Sequence, residues 1–315
     1  MEIVEMSLDE YGSRCSDEIP VFCRTDFLKL NQYKVDKVRI IAGKEKKWRL
    51  ALAFGEKDSS WLAPYSAPFA LPIELSHPCE ISHYWDYFEG VTAYAKNEGI
   101  KVISVCLPPD IYTPGLNAKC TNALIGNGFK LLYQELNYSM STVGFDAELY
   151  KSNIQHNARK NLNISLKSGL SFHRCENENE KKEAYSVIKT NREIKGYYLA
   201  MSEDQVLSTI KIINHDFFLV KIRDKAIAAA IVFHITKSAV QVVYWGDIPN
   251  VGEYKPINYL SFQLLNYYSL IGIETVDIGP SCPGGIPNYG LCSFKEGIGC
   301  RISSKLRFEW RNKDL

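Results

Sequence analysis

At 315 residues, with 46% apolar and 23% charged side chains, the chain carries enough apolar material for one large domain or two ordinary ones, which excludes disorder, collagen and coiled coil as its main state. Lys and Arg number 37 against 36 Asp and Glu, a net charge of +1, so no global field holds the protein on DNA or an anionic membrane, and any polyanion must meet a local patch. The acidic start, MEIVEMSLDE, has no secretory-signal pattern, no apolar run spans a bilayer core of roughly 30 Å, and nine scattered cysteines without a CxxC pair fit a reduced, cytoplasmic protein.

The chain opens with a predicted strand at Val38 to Ile41, a break over Gly43 to Lys47, and an alternating run from Trp48 to Phe54 that reads as the second arm of a hairpin. Pro64, Pro68 and Pro72 leave only the beginning of Ser60 to Leu71 as strand. Ile81, Tyr84, Trp85, Phe88, Val91, Thr92 and Ala95 recur at helical spacing within Glu80 to Asn97, and Gly99 is the stop. A buried strand over Lys101 to Leu107, a helix around Asn117 to Asn127 and a strand over Phe129 to Tyr138 follow. The polar stretch Asp146 to Lys167, closed by Gly169, reads as one long helix and as the joint between two units.

Past the joint come a strand at Leu170 to Arg174 and helices at Glu178 to Lys195 and Ser202 to Asn214. Strands at Phe217 to Ile222, Ala226 to Thr236 and Ala239 to Trp245 lead to a helix over Pro256 to Leu270, with proline in its first turn and Gly272 at its end. A strand at Glu274 to Gly279, a short helix at Asn288 to Glu296 and a last strand at Ile302 to Trp310 complete the order. The second half thus repeats the first, with two helices placed in front. The expectation is an α+β fold of two units, each a mixed sheet flanked by helices.

Asp277, at a strand end, could accept a proton or orient an amine, although an Asp before Gly279 and Pro280 is also a turn former. Tyr244 and Trp245 point to opposite sides of their strand, one toward the core and one toward any cleft. Arg159 and Lys160, with His156 and Lys167, form a basic helix face of the kind that is usually just solvated; under the family resemblance given below, its place would also suit a phosphate-bearing donor. His77, Cys79 and His83 invite a metal reading, but no second pair follows at zinc spacing, so no metal is expected. No Walker loop, GxSxG or dinucleotide fingerprint is present.

Three segments taken together carry a resemblance: the basic stretch His156 to Leu170; Tyr259 to Gly279 with its Gly272 turn and Asp277-Ile278-Gly279 end; and Gly284-Gly285 followed by Gly290-Leu291-Cys292-Ser293-Phe294-Lys295-Glu296-Gly297-Ile298-Gly299. Their order and spacing resemble the FemABX family, tandem GNAT-fold proteins that move amino acids or acyl groups onto amines. The last segment is close to the family's Gly-x-x-x-Phe-Lys-x-x-Phe-Gly signature, with Ile298 in place of the second Phe. The long helical hairpin of the members that build peptidoglycan bridges has no room here, which shifts weight toward other GNAT-like acyltransferases with two fused domains.

The resemblance implies two tandem GNAT-like domains, a degenerate one over 1–145 and a second over 146–315 that includes the linking helix 146–168. It implies backbone donors where the strands Val240 to Trp245 and Thr275 to Gly279 splay, Tyr289 as the acid unless it is an aromatic cap packed on Pro287, and Lys295 meeting a phosphate or carboxylate unless its head is simply solvated. The family's pyrophosphate loop falls on Gly246 to Pro256, where Gly252, Lys255 and Asn258 are the candidates to hold a donor, while Asp247 and Glu253 put negative charge where phosphate would come. The equivalent first-half segment, Ala63 to His77, has prolines instead and should be inert toward nucleotides. No permanently bound cofactor is expected; acyl-CoA is the candidate co-substrate, aminoacyl-tRNA the other donor, and a small-molecule or peptide amine the acceptor. The alternative is a non-catalytic module that binds a peptide or glycan in a groove between the domains. Donor, acceptor and oligomeric state stay open.

Overall fold

A computed structural model of the chain describes residues 1–16, 18–76 and 78–314. In chain order the elements are β1 (Glu2–Met6), α1 (Leu8–Arg14), α2 (Thr25–Asn31), β2 (Lys37–Lys44), β3 (Trp48–Lys57), β4 (Ser60–Ala63), β5 (Ile73–Glu74), α3 (Ile81–Asn97), β6 (Val102–Cys106), α4 (Pro114–Gly126) and β7 (Lys130–Ser141). They continue with α5 (Ala147–Asn153), α6 (His156–Lys167), β8 (Leu170–Arg174), α7 (Glu178–Lys195), α8 (Glu203–Thr209), β9 (His215–Ile222), β10 (Lys225–His234), β11 (Ala239–Asp247), α9 (Pro256–Leu270), β12 (Thr275–Pro280), α10 (Tyr289–Gly297) and β13 (Arg301–Arg311).

Contacts divide the chain into two units, one of Met1–Leu136 with Gly284–Ile286 and Ser303 onward, the other of Asn137–Pro283 with Pro287–Ile302. The first unit's strands run β1-β2-β3-β4-β6-β13 and the second's β8-β9-β10-β11-β12-β7. Both sheets have one parallel pair in the same place, β4 with β6 and β11 with β12, and every other neighbour on these paths is antiparallel. The helices match as well: α1 and α2 stand between β1 and β2 as α7 and α8 stand between β8 and β9.

The repeat is therefore fuller than the sequence suggested. The two leading helices expected only in the second half have counterparts at the N-terminus, α1 shorter than α7 and α2 as long as α8, beginning with the Ser7 hydroxyl capping the Glu10 N–H of α1. The sixth strand is exchanged: β7 ends in the second unit and β13, last in the chain, completes the first. Where the sequence reading put the change of unit at 145/146, the contact boundary falls at Leu136 and the chain later returns to the first unit.

Two predicted helices are altered by tertiary contacts. Asp146 to Lys167 is not one helix but α5 and α6, because extended Ile154 is buried and the Gln155 N–H donates to the Gly297 carbonyl at 3.0 Å. The helix predicted to reach Asn214 stops at Thr209, and the Ile213 N–H turns back to the Thr209 carbonyl.

In the first unit, α3 buries Tyr84, Tyr87, Phe88, Val91 and Ala95 on one face, each large apolar side chain worth about 1.5–3 kcal/mol. Phe54, Trp61, Phe308 and Trp310 join the same core. In the second unit α7 and α9 both pack on β10, whose run Ala228-Ala229-Ala230 lets helix backbones approach closely. One such approach is severe: a Cβ added to Gly246 of β11 would lie 2.5 Å from the Asn191 Cγ of α7. Gly246→Ala is expected to cost about 1–3 kcal/mol in urea unfolding, whereas Gly252→Ala, with nothing within 4 Å of the new Cβ, should leave the midpoint within about 0.5 kcal/mol.

Candidate active site

The site is the end of the parallel pair in the second unit. β11 and β12 are in register over three residue pairs, Ala239 with Thr275, Val240 with Val276 and Gln241 with Asp277, and then separate although β11 continues to Asp247. In the first unit all four residues of β4 pair with β6. A strand edge without its neighbour presents main-chain N–H and C=O groups to whatever enters.

Asp277 sits where the ladder stops, with no exposed surface. Its Oδ1 accepts from Asn137 Nδ2 and from the Gly279 N–H, both at 2.8 Å, and its Oδ2 accepts from Gln241 Nε2 at 2.9 Å. Three donors on one buried carboxylate join β7, β11 and the end of β12, so Asp277 anchors the gap's floor, and Gly279 and Pro280, read from the sequence as a turn, are still within the strand.

Lys295 of α10 closes the other side. It is 2% exposed, and its Nζ donates to the carbonyls of Ile278 and Gly279, both at 2.8 Å, and of Pro280 at 3.4 Å. The ammonium also lies 5.3 Å from the centroid of the Tyr138 ring. The head is neither solvated nor aimed at an outside anion; it holds the peptide groups that β12 offers past the last ladder pair. Burial pulls its pKa down to about 8 against the opposing pull of the Asp277 charge. The buried Tyr138 hydroxyl donates to Glu296 Oε1 at 2.9 Å, and burial raises its pKa, with the Cys292 and Glu296 contacts acting in the same direction.

The remaining predicted residues are placed variously. Trp245 reaches the motif, its ring edge-on to Phe294 at 6.1 Å. Tyr244 points away: its hydroxyl accepts from the Met201 N–H at 3.1 Å and its ring lies 5.7 Å from the Arg192 guanidinium. Tyr289 is the first residue of α10 and 79% exposed. Arg159 and Lys160 flank the buried Ala158 and Leu162 of α6, with Arg159 Nη1 donating to the Ser152 carbonyl at 3.2 Å and Lys160 exposed.

Gly252, Lys255 and Asn258 gather at the start of α9: Gly252 is exposed, Lys255 is the left-handed N-cap with φ of 52°, and Asn258 is buried with its N–H on the Lys255 carbonyl. Asp247 Oδ1 takes Asn191 Nδ2 at 3.1 Å and Lys195 Nζ at 3.4 Å, both on α7. Of the metal trio, His77 lies outside the described residues, the Cys79 N–H is spent on Glu74, and His83 Nδ1 accepts from the Glu80 N–H.

Sequence reasoning missed Gln241, Asn137 and Ser281. A signal existed for the first, a lone amide between Val240 and Val242 in a buried strand. Asn137 Oδ1 and Ser281 Oγ are buried with no hydrogen-bond partner among the described residues.

No protein-family model matches the chain, and no curated protein matches it in sequence. Solved structures do match in fold. FemX superposes with a TM-score of 0.70 at 15% identity, over 100% of this chain and 98% of that one. The C-terminal domain of a protein described as a lysylphosphatidylglycerol synthetase from Agrobacterium fabrum gives 0.62 at 12% identity over 98% and 93%. A tandem GNAT protein from the clavulanic acid biosynthesis pathway gives 0.56 at 9% over 98% of each chain. No helix among the described residues is long and apolar enough to cross a membrane. With two units of identical strand order, each carrying its parallel pair at the same place, this chain has the FemABX-like tandem GNAT fold.

Proposed function

We propose that the protein is an N-acyltransferase or aminoacyltransferase whose second unit moves an acyl or aminoacyl group from a thioester or ester to an amine. The observation that carries the reading is the β11/β12 ladder that stops at Gln241 and Asp277 beside a buried lysine. A donor carbonyl enters the gap and takes hydrogen bonds from exposed main-chain N–H groups; the neutral amine attacks, the C–N bond forms, and the carbonyl oxygen becomes an oxyanion. The C–S or C–O bond then breaks, and the proton released by the amine leaves with the departing thiol or hydroxyl, supplied through the Tyr289 hydroxyl. Preorganised donors of this kind are worth about 10²–10³ in rate each.

In this scheme Asp277 is a positioning residue, its oxygens already committed to Asn137, Gln241 and Gly279, and Lys295 supplies the positive charge. No covalent enzyme intermediate is invoked: burial pushes the Cys300 thiol up to about 12, which keeps it protonated and poorly nucleophilic. The phosphates of acyl-CoA, or of the acceptor end of a charged tRNA, would meet the start of α9 at Gly252, Lys255 and Asn258, where the positive end of the helix dipole and a lysine favour an anion. The tandem GNAT neighbour is described as without AcCoA, which makes a CoA thioester one candidate donor, and aminoacyl-tRNA is the other.

The test is a thermal-shift screen with CoA thioesters and charged tRNAs, followed by mass spectrometry for the amide product. Stabilisation by one donor class with consumption of that donor is expected, and Tyr289→Phe should lower kcat about 10²-fold without moving the melting temperature. Stabilisation by neither class overturns the reading. Binding of a peptide or glycan without turnover would install the non-catalytic module instead.

A further inference from the structure

At the end of the second unit's sheet where β11 begins, opposite the end where the gap opens, lies a groove of about 720 Å³ whose polar wall includes Arg174, Lys181, Lys211, His215, His234 and Tyr267. His234 pairs with Val240 at the closed end of the ladder, so the groove is a separate place from the acyl gap.

Its two inner cations are fixed from behind. Asp216, 4% exposed, accepts from Arg174 Nε on Oδ1 at 2.7 Å, from the Tyr268 hydroxyl on Oδ2 at 3.1 Å, and lies 2.7 Å from His234 Nε2. Burial alone would raise that carboxyl; the His234 and Arg174 hydrogen bonds hold it below its ordinary value, so it stays charged and keeps the guanidinium in one orientation. With Nε committed to Asp216 and a further side-chain hydrogen bond to Tyr267, a side chain still 49% exposed keeps only part of its guanidinium for a ligand.

Lys181 Nζ is 3.0 Å from His215 Nε2, whose Nδ1 is 2.9 Å from the Ile213 carbonyl. That pair of contacts is satisfied by a neutral imidazole that donates from Nδ1 and accepts from the lysine, and burial keeps the His215 pKa low. Facing the cations is one carboxylate on the rim, Glu176, since Asp216 is fully engaged. An oriented guanidinium fork and a held ammonium, with Lys211 at the edge, match a dianion better than a single carboxylate, and the volume suits a small organic ligand. Ile210, Ile212 and Ile271 supply apolar wall for its body.

We propose that this groove is a second ligand site, taking a phosphate monoester with a compact organic body, its phosphate between Arg174, Lys181 and Lys211. The inference does not depend on the transferase reading. Isothermal titration of the full chain with inorganic phosphate and with glycerol 3-phosphate should show saturable one-to-one binding. Lys181→Met and Arg174→Gln should each weaken it at least tenfold and the exposed Lys211→Ser a few-fold, with circular dichroism confirming the fold. Because Arg174→Gln also loosens Asp216, the two lysine variants carry the result if it unfolds. Absence of saturable binding, an affinity unmoved by Lys181→Met and Lys211→Ser, or capture only by vesicles of anionic lipid would overturn the proposal.

Discussion

Lys295→Met is expected to abolish measurable transfer, a loss of about 10²–10³ in kcat if the ammonium acts as one preorganised electrostatic element, and also to change how stability depends on pH. A lysine whose folded pKa is about 8 is half neutral there, while in the unfolded chain it stays charged to about 10.4. Below pH 8 both states are protonated and the folded one bears the whole penalty of a buried charge. Between the two values the unfolded state binds more protons, so this group's contribution to stability rises with pH, by about 3 kcal/mol at most. Buried tyrosines and cysteines act oppositely above pH 9, since burial raises their pKa values. The measurement is therefore the difference between wild type and Lys295→Met in urea unfolding from pH 7 to 10.5. The wild-type advantage should grow with pH, and a flat difference would mean that the amine is not buried as described. Activity should separate the roles: Lys295→Arg retains charge but cannot reproduce three converging donations to Ile278, Gly279 and Pro280, and is expected to recover little turnover.

Asp277→Ala should be the most destabilising single change in the second unit. It strands Asn137 Nδ2, Gln241 Nε2 and the Gly279 N–H inside the protein, and removes the negative charge that partly offsets the Lys295 ammonium. A loss of about 3–5 kcal/mol is expected, read from chemical denaturation. Gln241→Leu removes one partner while leaving the carboxylate two donors, and should cost about 1–2 kcal/mol. If Asp277→Ala unfolds no more readily than Gln241→Leu, the carboxylate is not the anchor its three contacts imply.

Much of this architecture could be read from residue order. The alternation from Trp48 to Phe54, the helical spacing from Tyr84 to Ala95, and the Pro256 start with Gly272 beyond the end of α9 are local signals, and these three elements are present. The motif Phe294-Lys295 carried the family likeness and lies against the strand end marked by Asp277. What escaped is what depends on distant partners. β1, α1 and α2 are five to seven residues long, too short for a period to stand out. Nothing between Asp146 and Lys167 breaks a helix locally; the break at Ile154 is made by the Gly297 carbonyl. A lysine on a helix is by default solvated, and only the unpaired carbonyls of β12 make a buried Lys295 tolerable. The exchange of β7 and β13 has no local signature at all.

That exchange has a consequence for how the protein is made. Because β13 is the strand beside β6, the N-terminal unit lacks its closing strand until every strand of the second unit has left the ribosome, however early its own other strands emerge. Its core, including Phe308 and Trp310, must wait through synthesis of the entire second unit. Neither half expressed alone would contain a complete sheet, and maturation of the two halves is bound into one late event.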